Sequence, residues 1–123
     1  MSIRAEIPVE LEIAHAVSTF QQEQQGFRAE RTEAHIVGDM VIVRSIGCFT
    51  PTERALCRDM DGRKLVKSAR RELRSLIRKD IEARVASIVG CPVLRSFWDL
   101  DIRLGEEVEV YVLDRASDER LSA

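Results

Sequence analysis

The chain has 123 residues, 45% of them hydrophobic and 33% charged, with a formal net charge of −2 at pH 7. These values indicate one globular domain that can bury a core, and they exclude a disordered protein. No apolar run reaches the roughly 18 residues that a membrane-spanning helix needs, and Glu6, Glu10 and Glu12 are incompatible with a signal peptide. We therefore expect a cytoplasmic protein.

The residue types that usually carry chemistry are sparse. Cys48, Cys57 and Cys91 are an odd number without CxxC spacing, which predicts buried thiols and neither a disulfide framework nor a zinc site. His15 and His35 have no second ligand at metal-binding spacing. The acidic residues after position 98 are typical of a turn and do not have the spacing of a calcium loop. The sequence predicts no catalytic residue, no metal and no cofactor.

The first predicted elements are a helix and a hairpin. An amphipathic helix should run from Pro8 to about Gln25, with Ile13, Val17 and Phe20 on its buried face. Residues 1–7 before it should be a flexible end. Two strands, 28–37 and 40–48, should then pair across a Gly38-Asp39 turn. The second is apolar on both faces and should be central, whereas the charged first strand should be an edge.

Residues 50–90 are predicted to be helical. Thr50, Pro51 and Glu53 form a capping-box sequence with proline at the first helical position. Because Asp61-Gly62 interrupts the pattern, we expect a short helix to about Met60 and a long one from about Gly62, capped by Asp61 and ended by Gly90.

The long helix carries an apolar stripe at helical spacing, which indicates one buried face. The stripe consists of Val66, Ala69, Leu73, Ile77, Ile81, Val85 and Ile88, widened by Leu65 and Leu76.

The same helix is strongly basic. Nine Lys and Arg against three acidic residues in 62–90 give +6, so the rest of the chain carries −8. Lys67, Arg71, Arg74 and Arg78 fall in one stripe beside the apolar face. Such a stripe is a candidate surface for phosphates or anionic lipid headgroups. It is also compatible with a solvated helix face whose arginine stems cover apolar surface.

A second hairpin should follow, with strands 92–100 and 108–113. Val108, Val110 and Val112 alternate with Glu107, Glu109 and Tyr111, so we expect the valines on the core face. Residues 115–123 should be a flexible end. The predicted fold of residues 8–114 is a two-layer α+β sandwich of the order helix, hairpin, helix pair, hairpin, with helices on one face of a four-stranded antiparallel sheet.

Helices on one face of such a sheet leave the other face uncovered, and covering it with a second copy of the chain predicts a homodimer. The strand residues expected to exceed what the helices can cover are Val41, Val43, Phe97, Trp98 and Tyr111. Asp80 and Arg84, an i,i+4 charge pair on the apolar arc of the long helix, are expected to border the interface.

Several segments together resemble the MpsC family over roughly residues 8 to 114. They are Gly38-Asp39-Met40-Val41-Ile42-Val43, Phe49-Thr50-Pro51-Thr52-Glu53-Arg54-Ala55-Leu56, Gly62-Arg63 with the basic helix, and Gly105-Glu106-Glu107-Val108-Glu109-Val110-Tyr111-Val112-Leu113. The Thr-Pro-x-Glu-Arg segment is the sharpest of them. The family takes its name from a sodium-translocating, membrane-potential-generating system of bacteria and has no established catalytic residues.

The resemblance implies a non-enzymatic accessory protein of a cation-linked membrane system, cytoplasmic and peripheral at the membrane. The alternative is a small anion-binding module, for nucleic acid or a phosphorylated ligand, that uses the basic helix 63–84. No aromatic residue interleaves the basic stripe as base stacking requires, which makes nucleic acid the less favoured ligand.

Overall fold

The computed structural model describes residues 8–116, which form three helices and four strands. The elements are α1 (Val9–Gln25), β1 (Arg31–Val37), β2 (Met40–Ile46), α2 (Pro51–Leu56), α3 (Met60–Val89), β3 (Val93–Asp101) and β4 (Glu106–Leu113). Of the predicted flexible ends, residues 1–7 and 117–123 lie outside the described part, and residues 115–116 follow β4.

The four strands form one antiparallel sheet in the order β1-β2-β4-β3. The predicted α+β sandwich with helices on one face is confirmed. β1 is an edge strand and β2 a central one, as their composition indicates. Helix α1 covers part of β1, and Glu10 accepts a hydrogen bond of 2.8 Å from the Ile36 amide.

The helix ends follow the predicted chemistry. The Thr50 hydroxyl accepts from the Glu53 amide at 3.2 Å and the Glu53 carboxylate accepts from the Thr50 amide at 2.9 Å, which completes the capping box of α2. Gly26 and Gly90 end α1 and α3 with φ of 68° and 77°, a left-handed conformation that glycine adopts without steric cost.

The junction between α2 and α3 differs from the prediction. α2 ends at Leu56 and α3 begins at Met60, because Asp59 and not Asp61 is the cap: its carboxylate accepts from the Gly62 amide at 2.7 Å. Glycine at position 62 lets the first turn of α3 approach the end of α2. A Cβ there would lie 1.7 Å from the Leu56 carbonyl oxygen.

The buried face of α3 also differs from the predicted stripe. Leu65 and Leu76 are 60% and 75% exposed, whereas Arg70 and Arg74 are buried. The buried residues of α3 are Val66, Arg70, Arg74, Ile81, Val85 and Val89, spaced mostly four apart. The arginines therefore lie at the centre of the helix–sheet interface, and the two leucines expected to widen the stripe lie outside it.

These arginines separate two apolar clusters. The larger cluster joins α1, the C-terminal half of α3 and the sheet, and includes Phe20, Val43, Val85 and Tyr111. The smaller one lies near the α2–α3 junction and consists of Cys48, Phe49, Val66 and Leu100, with four partly buried neighbours.

The face of strand β4 that packs against the helices is the opposite of the predicted one. Glu109, Tyr111 and Leu113 are buried on the helix side, while Val108, Val110 and Val112 lie on the opposite side, which no described helix covers. The reason is that Arg70 and Arg74 of α3 meet carboxylates of β4 under the helix.

The residues expected to need a second chain are distributed differently from the prediction. Val41, Val43 and Tyr111 belong to the core, and Trp98 points to the helix side. Of the five, Phe97 alone lies on the uncovered side, at 58% exposure.

Arg84 does not form the pair with Asp80 that the sequence led us to expect. Arg84 instead binds Glu23 of α1 at 2.8 Å and covers the Phe20 ring, 4.6 Å from its centroid.

Replacing Thr50 with alanine should lower the free energy of unfolding by about 1 kcal/mol, because the Glu53 amide loses its capping acceptor. Chemical denaturation measures this, with Thr52→Ala, an exposed position in the first turn of the same helix, as the control. A Thr50→Ala protein of unchanged stability that has lost binding to a partner would contradict a purely structural cap.

Candidate functional site

Arg70 is the centre of a buried charged cluster. Its Nε and one terminal nitrogen bind the two Glu53 carboxylate oxygens at 2.6 Å each. The same terminal nitrogen also donates to the Cys48 carbonyl at 2.5 Å, and the other terminal nitrogen donates to Glu107 at 3.1 Å. The fork of donors therefore joins α2, the segment before it and β4 to α3, which uses the planar geometry of the guanidinium fully.

Arg74, one turn later, has a second set of partners. Its Nε is 3.0 Å from a Glu109 oxygen, an ion-pair distance at which the N–H is not aligned for a hydrogen bond. A terminal nitrogen donates to Ser96 at 2.9 Å, and Ser96 donates in turn to Glu82 at 2.5 Å. Tyr111 donates to Glu109 at 2.9 Å.

Burial and ion pairing shift the pKa values of Glu53 and Glu109 in opposite directions. Burial raises the pKa of Glu53, but hydrogen bonds from Arg70 and Thr50 outweigh it and hold that pKa below its usual range. For Glu109 burial dominates: it raises the pKa to about 7, although Arg74 and Tyr111 act to lower it. Glu53 is thus an ionised anchor, and Glu109 changes charge near neutral pH.

The cluster is suited to structure more than to chemistry on a substrate. Burial raises the pKa of the neighbouring Cys48 thiol to about 12, so this thiol is not an activated nucleophile. Among residues 8–116, no group of three or more His, Cys, Asp and Glu side chains is arranged to hold a metal ion.

Sequence reasoning missed the cluster, although two signals were present. Arg70 and Arg74 are four apart on the line of Val66 and Ile81, where buried positions recur. Glu107 and Glu109 lie two apart on one side of β4, and the strand residues between and after them, Val108 and 110–113, are apolar or aromatic.

The structure separates the four residues of the predicted basic stripe. Arg74 is buried in the cluster just described, whereas Lys67, Arg71 and Arg78 lie on the outer surface of α3. Lys67 is 3.6 Å from Asp99 of β3, and Arg78 is 3.5 Å from Glu82. For Arg71 no ion pair is formed within the described chain.

Lys64 and Lys79 extend this surface, and neither forms an ion pair with a described residue. At 100° per residue the five cations cover about a third of the helix circumference, on the side towards β3. We call this surface the basic flank: Lys64, Lys67, Arg71, Arg78 and Lys79.

The uncovered side of the sheet, which we call the open face, is the second candidate surface. Its apolar residues are Val37, Met40, Ile42, Ile46, Phe97, Val108, Val110 and Val112. Its charged residues are Arg31, Glu33, Arg44, Arg95, Asp99, Asp101 and Glu106. Directly paired residues of neighbouring antiparallel strands share a face, so Ile42, Val110 and Phe97 form one continuous row.

No helix in the part of the chain that the structure covers is long and apolar enough to cross a membrane.

Comparison with known proteins gives a family match over almost the whole chain. The model of MpsC, described as a Na⁺-translocating membrane potential-generating system, matches residues 7–115. The uncharacterized protein YbcI of Bacillus subtilis is 29% identical over 105 residues, 85% of each chain. The uncharacterized protein YrhF of the same organism is 27% identical over 108 residues, 87% of this chain and 88% of its own. No solved structure matches the chain.

The raised pKa of Glu109 predicts a pH-dependent stability. Above the ordinary value of 4.5 the unfolded chain releases this proton, while the folded chain keeps it up to about pH 7. Stability from this group is therefore lost as the pH rises through that window, by about 3 kcal/mol over the whole interval. Because the glutamine of Glu109→Gln cannot titrate, the free energy of unfolding of the wild type should fall relative to that of the variant as the pH rises through this window.

Urea denaturation at several pH values between about 5 and 8 measures the difference. Glu72→Gln, an exposed position on α3, is the control and should follow the wild type. Parallel pH profiles for the wild type and Glu109→Gln would show that the folded state does not hold the proton on Glu109.

Proposed function

The chain belongs to the MpsC family, and on that premise we propose that it is a non-enzymatic, cytoplasmic accessory component of a cation-linked membrane-potential-generating system. In this proposal it binds the anionic membrane surface beside the system through the basic flank. Three cysteines that form no disulfide support a reducing compartment.

The observation that carries the proposal is the state of the cations on the basic flank. Lys64, Arg71 and Lys79 have no ion-pair partner among the described residues, and the pairs of Lys67 and Arg78 are long, at 3.6 and 3.5 Å. Each pair has one exposed partner and a long separation, and such pairs contribute little to stability. Cations that the fold does not need remain available to anionic headgroups, each worth about 1 kcal/mol near a membrane surface.

The test uses Lys67→Gln/Arg71→Gln/Arg78→Gln and co-sedimentation with phosphatidylcholine vesicles with and without phosphatidylglycerol. Arg74 is left intact because it is buried and serves the fold. The wild type should bind the anionic vesicles alone, and the triple variant should bind them about 100-fold less tightly, from about 1 kcal/mol lost per cation.

The matched control is Arg28→Gln/Arg58→Gln/Arg115→Gln, which removes the same charge from exposed positions away from the basic flank. Equal loss in both variants would mean that net charge and not the basic flank governs binding. Binding of nucleic acid through the basic flank, with none to vesicles at low salt, would overturn the membrane proposal in favour of an anion-binding module.

We further propose that the accessory component is a homodimer joined through the open face. The open face contains eight apolar residues, and side chains of the two central strands, such as Ile42 and Val110, would be dry only under a second layer. A second copy suits it because the charges of β3 are separated along the strand, with Arg95 at one end and Asp101 at the other.

A twofold axis lying between two open faces and running across the strands exchanges the ends of each strand. It brings Arg95 opposite the partner's Asp101, and it places no two like charges opposite each other. Val108 then meets the partner's Val110. With the axis along the strands, Glu33 would instead face the partner's Asp99, a repulsive pair that offsets the attraction between Arg31 and the partner's Asp101. Charge complementarity therefore favours the axis across the strands.

Val110→Glu should dissociate the dimer, because it buries a carboxylate in the centre of the apolar row; the dissociation constant should rise about 100-fold or more. Light scattering behind a sizing column measures the mass. Leu76→Glu, on the outer surface of α3, is the control and should stay dimeric. A wild-type mass near the 14.0 kDa of one chain at all micromolar concentrations would refute the dimer.

A further inference from the structure

A cleft of about 700 Å³ opens at one end of the sheet. Its walls come from five places: Glu30 just before β1, the end of β2 with the loop after it, helix α2 with the residue that follows it, the first turn of α3, and the loop between β3 and β4. The volume lies within the range of about 300–1,000 Å³ that is usual for small-molecule sites. The basic flank and the buried cluster contribute no residue to this lining.

Two glycines shape the wall where the loops meet. Gly47 and Gly105 have φ of 67° and 66°, which other residues rarely adopt. A Cβ on Gly105 would lie 3.0 Å from the Phe49 ring, and the Gly105 carbonyl accepts from the Cys48 amide at 2.9 Å. The two loops are thus joined by backbone, and the Phe49 ring forms part of the apolar wall between them.

The cleft is positively charged. Arg54, Arg63 and Arg103 line it with one carboxylate, Glu30, which leaves a formal charge of +2. The Arg63 side chain donates to the Cys57 carbonyl at 3.2 Å. The guanidinium groups of Arg54 and Arg103 have neither a hydrogen bond nor an ion pair to any residue in the described range.

The remaining wall is apolar. Phe49 is buried in the smaller cluster, and Ile102 packs against that cluster, while Leu104 is 70% exposed at the rim. A ligand that fits must therefore combine negative charge for the arginines with an apolar body for this wall.

We propose that the cleft binds a phosphate monoester with an aromatic or aliphatic body. A phosphate monoester carries about −1.5 to −2 at neutral pH, which matches the +2 of the lining, and its oxygens are suited to the forked donors of arginine. Its organic body lies against Phe49 and Ile102. This site is independent of the membrane-binding function proposed for the basic flank.

The experiment is a two-dimensional amide NMR titration of the ¹⁵N-labelled full chain with phenyl phosphate. Gly47 and Gly105 report on the cleft, while Gly26, Gly38 and Gly90 lie outside its lining and serve as internal controls. The cleft glycines should shift saturably and the controls should not. Arg54→Gln/Arg103→Gln should weaken binding about tenfold or more, from lost charge-assisted hydrogen bonds.

Arg58→Gln/Arg115→Gln removes the same charge from outside the cleft and should bind as the wild type does. Inorganic phosphate alone should bind more weakly than phenyl phosphate, because it leaves the apolar wall wet. Equal binding of the two would overturn the assignment of an organic body. Equal shifts of the two cleft glycines and the three control glycines, or equal weakening in the two double variants, would overturn the site.

Discussion

The bidentate pairing of Arg70 with Glu53 is the interaction on which the arrangement of this fold depends. Glu53 closes the capping box of α2 and also holds the centre of α3, 17 residues later. Glu107 completes the set and accepts from the Trp98 indole at 2.6 Å, which ties β3 to the same cluster. Removing one member would leave a buried charge uncompensated, which typically costs about 3–5 kcal/mol.

This buried cluster also explains the outer surface of the sheet. Side chains of a strand alternate between its two faces, so fixing Glu107 and Glu109 under α3 forces Val108 and Val110 to the other side. An arrangement that satisfies two arginines inside the protein thereby creates an apolar row outside it. The open face is a consequence of the charged layer and not an independent feature of the sequence.

The sequence was informative where the signal is local. Caps at Thr50, Gly26 and Gly90, the first hairpin and its edge strand follow from residues within a few positions of one another. Which face of β4 is buried depends instead on Arg70 and Arg74, more than 30 residues away, and the valine alternation is equally compatible with either choice. The exposure of Leu65 and Leu76 has the same origin, since the arginines take the central positions of α3.

The candidate surfaces were predictable to different degrees. Helical spacing found Arg71 and Arg78, which are exposed, and Lys67, which is half-buried. It could not separate them from Arg74, because 3.6-residue geometry does not show where carboxylates of another element lie. The cleft left no motif to find: its arginines at 54, 63 and 103 come from three segments, and the fold alone brings them together. Gly47 and Gly105 were its one local signal, as glycines at the ends of strands.

The open face and the cleft meet at Ile46, whose position in β2 belongs to both. The basic flank lies on the helical side of the protomer, so a membrane surface there and a second copy on the open face occupy different sides of the molecule. A ligand in the cleft, unlike the membrane surface, would contact the border of the proposed dimer. If it changes the affinity between two copies through Ile46, thermodynamic linkage requires that dimer formation change the affinity for the ligand by the same factor. Coupling between the two sites thus needs no transmission across the core, and it would link the state of assembly directly to the supply of a small anion.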